Sequence, residues 1–198
     1  MIYELLRMLF ALIFVVLFRY QVTGRENLPT QGGYILAANH LSLWDPPLIA
    51  TLVPNHIHYM AKQELFAIPL FASLIRNLGV FPVKRSTADR GAIRMAINLL
   101  KTGKVVGIFP EGTRSKTGRL QQPEAGLELI ASLAQVTIVP VAVIGTNRIF
   151  KAGSLIPRFE VHFGKAICPS DKHSSESKNS LTNEVMQSIQ VMLDEYNG

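Results

Sequence analysis

The chain has 198 residues, 48% of them hydrophobic and only 17% charged, and a single cysteine. That length suits one domain with one core, the composition excludes intrinsic disorder, and Cys168 alone excludes both an intrachain disulfide framework and a multi-cysteine zinc site. Twenty Lys+Arg against 14 Asp+Glu leave a net charge of +6, which suits nucleic acid, anionic lipid or a phosphorylated substrate equally well, so local features must decide among them.

Seventeen of the first 20 residues are hydrophobic, and residues 8–18 form an unbroken apolar run of 11. The remaining chain is then about 44% hydrophobic, ordinary for a globular domain. A spanning helix needs about 20 apolar residues, so a run of this length reads as interfacial. Arg7, Arg19 and Tyr20 flank it, as suits a helix lodged among headgroups without crossing the bilayer. The competing reading is a buried first helix of the domain.

Beyond residue 20, short apolar runs alternate with helical ones. Strands are expected at 34–38, 58–61, 80–83, 105–109, 137–144 and 159–163. Helices are expected within 42–52, over 64–78 with a division at Pro69, after Ser86-x-x-Asp89 read as a capping box, and over 124–133. Residues 169–180 read as a polar connector, and Leu181, Val185, Ile189, Met192, Leu193 and Tyr196 mark one face of a terminal amphipathic helix. The organisation expected is an N-terminal membrane-associated helix (1–20), an α/β domain (21–168), and a connector with a C-terminal helix (169–198). The fold class expected is α/β, a mostly parallel mixed sheet flanked by helices.

Three polar clusters follow apolar strands, where α/β sheets gather ligands. The first is Asn39-His40-Leu41-Ser42-Leu43-Trp44-Asp45. Histidine can take a proton near neutral pH, and a carboxylate on its second ring nitrogen would orient it and stabilise the imidazolium. A loop must bring His40 and Asp45 together, since five residues along a helix point apart. The second is Phe109-Pro110-Glu111-Gly112-Thr113-Arg114-Ser115. Gly112 permits a tight turn, Thr113 and Ser115 offer hydroxyls, and Arg114 offers a fork for phosphate. Glu111 is expected to orient Arg114 or to accept from a substrate hydroxyl. The third is Gly79-Val80-Phe81-Pro82-Val83-Lys84-Arg85, a strand ending in two cations. No dinucleotide, P-loop, serine-elbow or zinc-protease fingerprint is present.

The ordered set NHLSLWD, GVFPVKR, FPEGTRS and IVPVA resembles the four sequence blocks of the glycerolipid acyltransferases, and among them the 1-acylglycerol-3-phosphate acyltransferases. The blocks span residues 39–142, roughly half the chain. The resemblance places the family's His-x4-Asp on His40 and Asp45 and its second-block arginine on Arg85. Its Glu-Gly-Thr-Arg falls on Glu111, Gly112, Thr113 and Arg114, and its fourth-block proline on Pro140. Lys62 and Glu64 fit the lead-in to the second block. The chain departs from the pattern at Ala125-Gly126, where a Lys-Gly pair is common.

What the resemblance implies is acyl transfer from acyl-CoA or acyl-carrier protein to the hydroxyl of lysophosphatidic acid. His40 would be the base, poised by Asp45, with Lys84, Arg85, Glu111, Gly112, Thr113 and Arg114 binding substrate. No metal or cofactor is expected beyond the acyl thioester. Direct attack is expected, since there is no nucleophile elbow and Cys168 lies outside the blocks. Backbone N–H groups near the His40 loop are expected to receive the thioester oxygen. Membrane phospholipids are expected partners and nucleic acid is not. The catalytic domain is expected on the cytoplasmic side of a membrane. Two other readings stay open: another acceptor (glycerol-3-phosphate, a lysophospholipid or a lyso-aminolipid), or a non-catalytic protein binding anionic lipid.

Overall fold

The computed structural model describes residues 2–84, 89–149, 158–169 and 180–196. Across its seven-stranded sheet the order is β1 (Tyr20–Thr23), β7 (Phe159–Phe163), β6 (Ile138–Ile144), β2 (Tyr34–Ala38), β5 (Val105–Ile108), β3 (Ile57–Lys62) and β4 (Phe81–Val83). Only β6 and β7 pair antiparallel; the other five pairings are parallel. The α/β class expected from the alternation of elements is therefore observed.

β2 and β6 are buried at every residue. Their uninterrupted apolar sequences, YILAA and IVPVAVI, suit strands covered on both faces. On one face lie α1 (Ile2–Leu17) and α2 (Asp45–Leu52), packed through Phe14, Leu48, Ile49 and Leu52. The other face carries α4 (Arg90–Lys101), α5 (Leu127–Ala134) and α6 (Ser180–Tyr196), packed through Ala96, Leu100, Ile130, Ala131, Val185 and Ile189. The edge unit, a 3-10 segment (Gln63–Ala67) followed by α3 (Pro69–Asn77), links β3 to β4. Pro69 divides the expected helix, since a proline is tolerated at the start of a helix and not inside it.

Pro140 has no N–H to give a ladder, and the strand accommodates it at a bulge. On one side of it Val141 pairs with Phe163, and on the other Ile138 pairs with Ile167, so β7's strand carries one extra residue. Two helix starts differ from the sequence expectation. Asp89 itself caps α4, accepting from the Gly91 and Ala92 N–H groups, while Ser86 lies outside the described residues. α5 begins at Leu127, three residues later than expected, because Gly126 at φ 132° holds a conformation a helix cannot continue.

α1 divides its residue types between its faces. Aromatics pack inward: Phe14 sits edge-on to Trp44 and Phe159, and Phe18, just past the helix, stacks on Phe159 at 4.6 Å. Tyr3 stacks on His56 at 3.6 Å. Aliphatics point outward, with Leu5, Met8, Leu9, Leu12, Val15 and Val16 all exposed. Among the described residues no helix is long and apolar enough to cross a membrane.

Candidate active site

His40 follows β2 by two residues, and the Phe109–Ser115 loop follows β5, its neighbour in the sheet. From β2 the chain passes to α2 on one face; from β5 it passes to α5 on the other. Adjacent strands leaving in opposite directions open a crevice at their carboxyl ends. Both polar clusters flank that crevice.

Asp45 opens α2 and is fully buried. Its Oδ2 accepts from His40 Nδ1 at 2.8 Å and from the Leu41 and Ser42 backbone N–H groups at 2.7 Å each. A helix N-terminus is a favourable place for this charge, and the acidic side chain bends the Leu41–Trp44 loop around itself. The loop thus brings together two residues that helical spacing would separate. With Nδ1 taken as the donor to Asp45, Nε2 is the nitrogen left to face a ligand; no described group bonds it. The expectation that N–H groups of this loop receive a substrate oxygen is corrected at Leu41 and Ser42, which are spent on Asp45.

The second cluster clamps His40 on three sides. The His40 N–H donates to Glu111 Oε1 at 2.7 Å, its C=O accepts from the Ser115 N–H at 2.8 Å, and its ring stacks on Phe109 at 4.0 Å. Tyr59 continues the stack beyond Phe109 at 5.8 Å. Gly107 makes room for it, since a Cβ there would lie 2.2 Å from the Tyr59 ring. Gly112 turns the loop at φ 65°, where a Cβ would also meet Glu124 at 2.8 Å. Thr113 and Arg114 stand exposed at the tip, and their N–H groups have no backbone partner among the described residues.

Glu111 departs from its expected role. Its two oxygens accept from the His40 and Gln121 N–H groups, so it pins the loop to β2 and does not orient Arg114. Burial pushes its carboxyl above the ordinary 4.5, against the opposing pull of those two N–H groups. Replacing it with glutamine sets an amide N–H₂ against one of those donors and should cost about 1–3 kcal/mol. The sign of the pH effect follows from proton counting. Between 4.5 and its raised value, folded Glu111 binds more proton than the unfolded chain, so the wild type gains stability relative to E111Q as pH falls through that window. Urea unfolding of both proteins at pH 7 and pH 5 measures this; a gap that stays constant would contradict it. Ser115 also differs from expectation, because its hydroxyl is spent on the Arg119 carbonyl at 2.7 Å.

Lys84 lies at the end of β4, exposed, its N–H bonded to Asp89. β4 is three strands from β2, about 14 Å at ordinary strand spacing, so Lys84 shares the edge of the sheet but not the His40 cluster. Arg85 lies outside the described residues. Lys62 at the end of β3 pairs with Glu64 at 3.2 Å.

Two residues have roles that were not read from the sequence. Thr146, just after β6 and 1% exposed, donates its hydroxyl to Asp45 Oδ1 at 2.5 Å. Asn39 reaches β6 by side chain, donating to the Val143 C=O and accepting from the Val143 N–H. It replaces the ladder where β2 turns away. A polar residue closing an apolar strand, Asn39 directly after β2 and Thr146 one residue past Gly145 after β6, was the available signal for both.

The site is therefore a histidine–carboxylate pair held by backbone donors at a sheet crevice, with an arginine-bearing loop beside it. Residues 19–144 match the family model described as Acyltransferase. The chain belongs to this family. A 1-acyl-sn-glycerol-3-phosphate acyltransferase of Bacillus subtilis (strain 168) is 35% identical over 139 residues, covering 68% of this chain and 69% of the relative. One of Streptococcus pneumoniae (strain ATCC BAA-255 / R6) is 33% identical over 192 residues, covering 91% and 71%. The crystal structure of the 1-acyl-sn-glycerophosphate (LPA) acyltransferase PlsC from Thermotoga maritima superposes with a TM-score of 0.82 at 28% identity, covering 99% of this acyltransferase and 80% of that chain. The acyltransferase domain match begins at Arg19, so α1 lies ahead of it.

Proposed function

We propose that this acyltransferase moves an acyl group from acyl-CoA or acyl-carrier protein to the sn-2 hydroxyl of lysophosphatidic acid, forming phosphatidic acid. The observation that carries the reading is the Asp45-held His40, which leaves Nε2 without a described partner, next to the loop that bears Arg114. In this reading His40 Nε2 takes the proton of the acceptor hydroxyl as its oxygen attacks the thioester carbonyl. The tetrahedral intermediate then collapses, the C–S bond breaks, and the thiolate leaves with a proton returned from the imidazolium. Asp45 stabilises the imidazolium between the two steps. The acyl group arrives already activated as a thioester, so the reaction needs no metal or further cofactor.

Arg114, with the N–H groups of Thr113 and Arg114 on the Gly112 turn, supplies the charge and donors for the acceptor phosphate. Lys84, just past the end of β4, extends the positive field toward it, and Arg85, next in the sequence, is assigned the same role. α1 seats the protein on a bilayer through its outward aliphatic face. The α/β body is read as facing the cytoplasm, where a lone exposed thiol such as Cys168 stays reduced.

The test is transfer from a radiolabelled acyl thioester, compared across lysophosphatidate, glycerol-3-phosphate and lysophosphatidylcholine. Preference for lysophosphatidate supports the reading, and transfer to none of them refutes it. Arg114→Ala should raise the KM for lysophosphatidate about tenfold, the loss of one charge-assisted contact at an exposed position. The KM for the thioester should hold. An unchanged KM for lysophosphatidate would remove Arg114 from the phosphate site.

A further inference from the structure

A second apolar surface lies away from α1 and from the His40 site. Along the edge unit between β3 and β4, Leu65, Ile68, Leu70, Phe71 and Leu74 are all exposed, Leu70 at 88% and Ile68 at 57%. α3 buries only Ala72 and Ile75 and turns Leu70 and Leu74, one turn apart, outward. A soluble surface scatters single apolar residues; a contiguous group of five marks a contact.

The strand order says which side this surface faces. β2→α2→β3 and β3→α3→β4 join parallel strands while moving the same way across the sheet. Right-handed crossovers put both helices on one face, the face that also carries α1. The two outer helices are joined below the sheet by a stack of rings: Tyr3 of α1 lies on His56, and His56 Nε2 donates to the Leu78 carbonyl that ends α3. The outward rows of α1 and α3 therefore look the same way. Cations border the patch, with Arg76 lying over the Phe66 ring at 5.5 Å and Lys84 exposed beyond β4. Long cationic side chains over apolar surface are arranged to reach headgroup phosphates while their stems stay in the apolar layer. The patch also starts at the carboxyl end of β3, the end of the sheet where His40 lies.

We infer that the 3-10 segment and α3 form a second membrane-docking surface, which seats this sheet face on an anionic bilayer together with α1 and sets the crevice at the lipid interface. This rests on the reading of the protein as an enzyme of lipid substrates, but its test does not need turnover. In a Cys168→Ser background of the full chain, Leu70→Cys carries an environment-sensitive fluorophore, and Met95→Cys, exposed on α4 of the opposite face, carries the same label as a control. With vesicles of phosphatidylcholine containing one-quarter phosphatidylglycerol, the label at position 70 should shift to the blue and the label at 95 should not. No shift at 70, or equal shifts at both positions, overturns the proposal.

L70Q/L74Q tests the same surface without a label. Its vesicle partitioning should weaken about tenfold, from loss of two apolar contacts only part of whose area enters the bilayer. Turnover of a short-chain, fully dissolved acceptor should match the wild type. Unchanged partitioning, or a dimer in the wild type that this variant dissociates while vesicle binding holds, would assign the patch to self-association and overturn the proposal. Should the wild type transfer acyl groups to no acceptor, the fluorescence result stands on its own.

Discussion

His40→Ala should lower kcat for acyl transfer by about 10²–10⁴ while leaving the protein folded. The expectation separates the side chain from its backbone. His40's N–H and C=O hold Glu111 and Ser115 in place, and alanine keeps both groups. Asp45 Oδ2 loses one partner and retains the Leu41 and Ser42 N–H groups. What disappears is a ring 13% exposed, stacked on Phe109, whose Nε2 no described group bonds. The proposed proton acceptor is thus removed with little change to the groups around it. Turnover of a labelled thioester, alongside a thermal melt, checks both halves. A folded variant with near-normal kcat would sink the assignment of His40 as the base.

Asp45 is expected to show two different losses depending on what replaces it. In Asp45→Asn the amide oxygen can stand where Oδ2 stood and accept from His40, Leu41 and Ser42, while the NH₂ faces the Thr146 hydroxyl, which rotates to accept. Loop shape and imidazole tautomer survive; only the charge that stabilises the imidazolium is gone. At an effective dielectric near 20 a charge at this range is worth up to about 4 kcal/mol, so kcat should fall by about 10- to 10³-fold with the melting temperature nearly unchanged. Asp45→Ala leaves the Leu41 and Ser42 donors unpaired in a buried site, at about 1–3 kcal/mol each, and should melt several degrees lower as well as lose activity. If the asparagine variant destabilised the protein as much as the alanine variant, the carboxylate's charge would be holding the loop, and the separation drawn here would fail.

The parts of this molecule that show in its sequence are those fixed by near neighbours. β2 and β7 match their expected bounds, the first as an apolar run between Gly33 and Asn39, the second as Phe159, Val161 and Phe163 alternating with polar residues up to Gly164. The meeting of His40 and Asp45 follows from a short loop that can only fold back on itself. β1 does not show: YQVT is four residues long, its first residue reads as the flank of a membrane helix, and it becomes a strand through pairing with β7, which comes more than 130 residues later. Thr146 likewise reaches Asp45 across 101 residues. Its hydroxyl carries no local sign of that partner. Glu111 was readable as a site residue by its block, but its partners were not, because β2 and β5 become neighbours only in the sheet.

The clamp on His40 fixes where motion can and cannot occur. His40 stands just past the end of the central strand β2, flanked by β5 and β6, with its backbone bonded to the loop that bears Arg114. The helices with outward apolar rows lie outside this clamp, and α1 meets the His40–Asp45 loop through Phe10 and Phe14 against Trp44. On the proposed reading, lipid contact would have no constellation to assemble, since His40, Asp45 and the Arg114 loop already hold one another in place. The bilayer would then contribute supply, raising the local concentration of a substrate too apolar to reach the crevice through water.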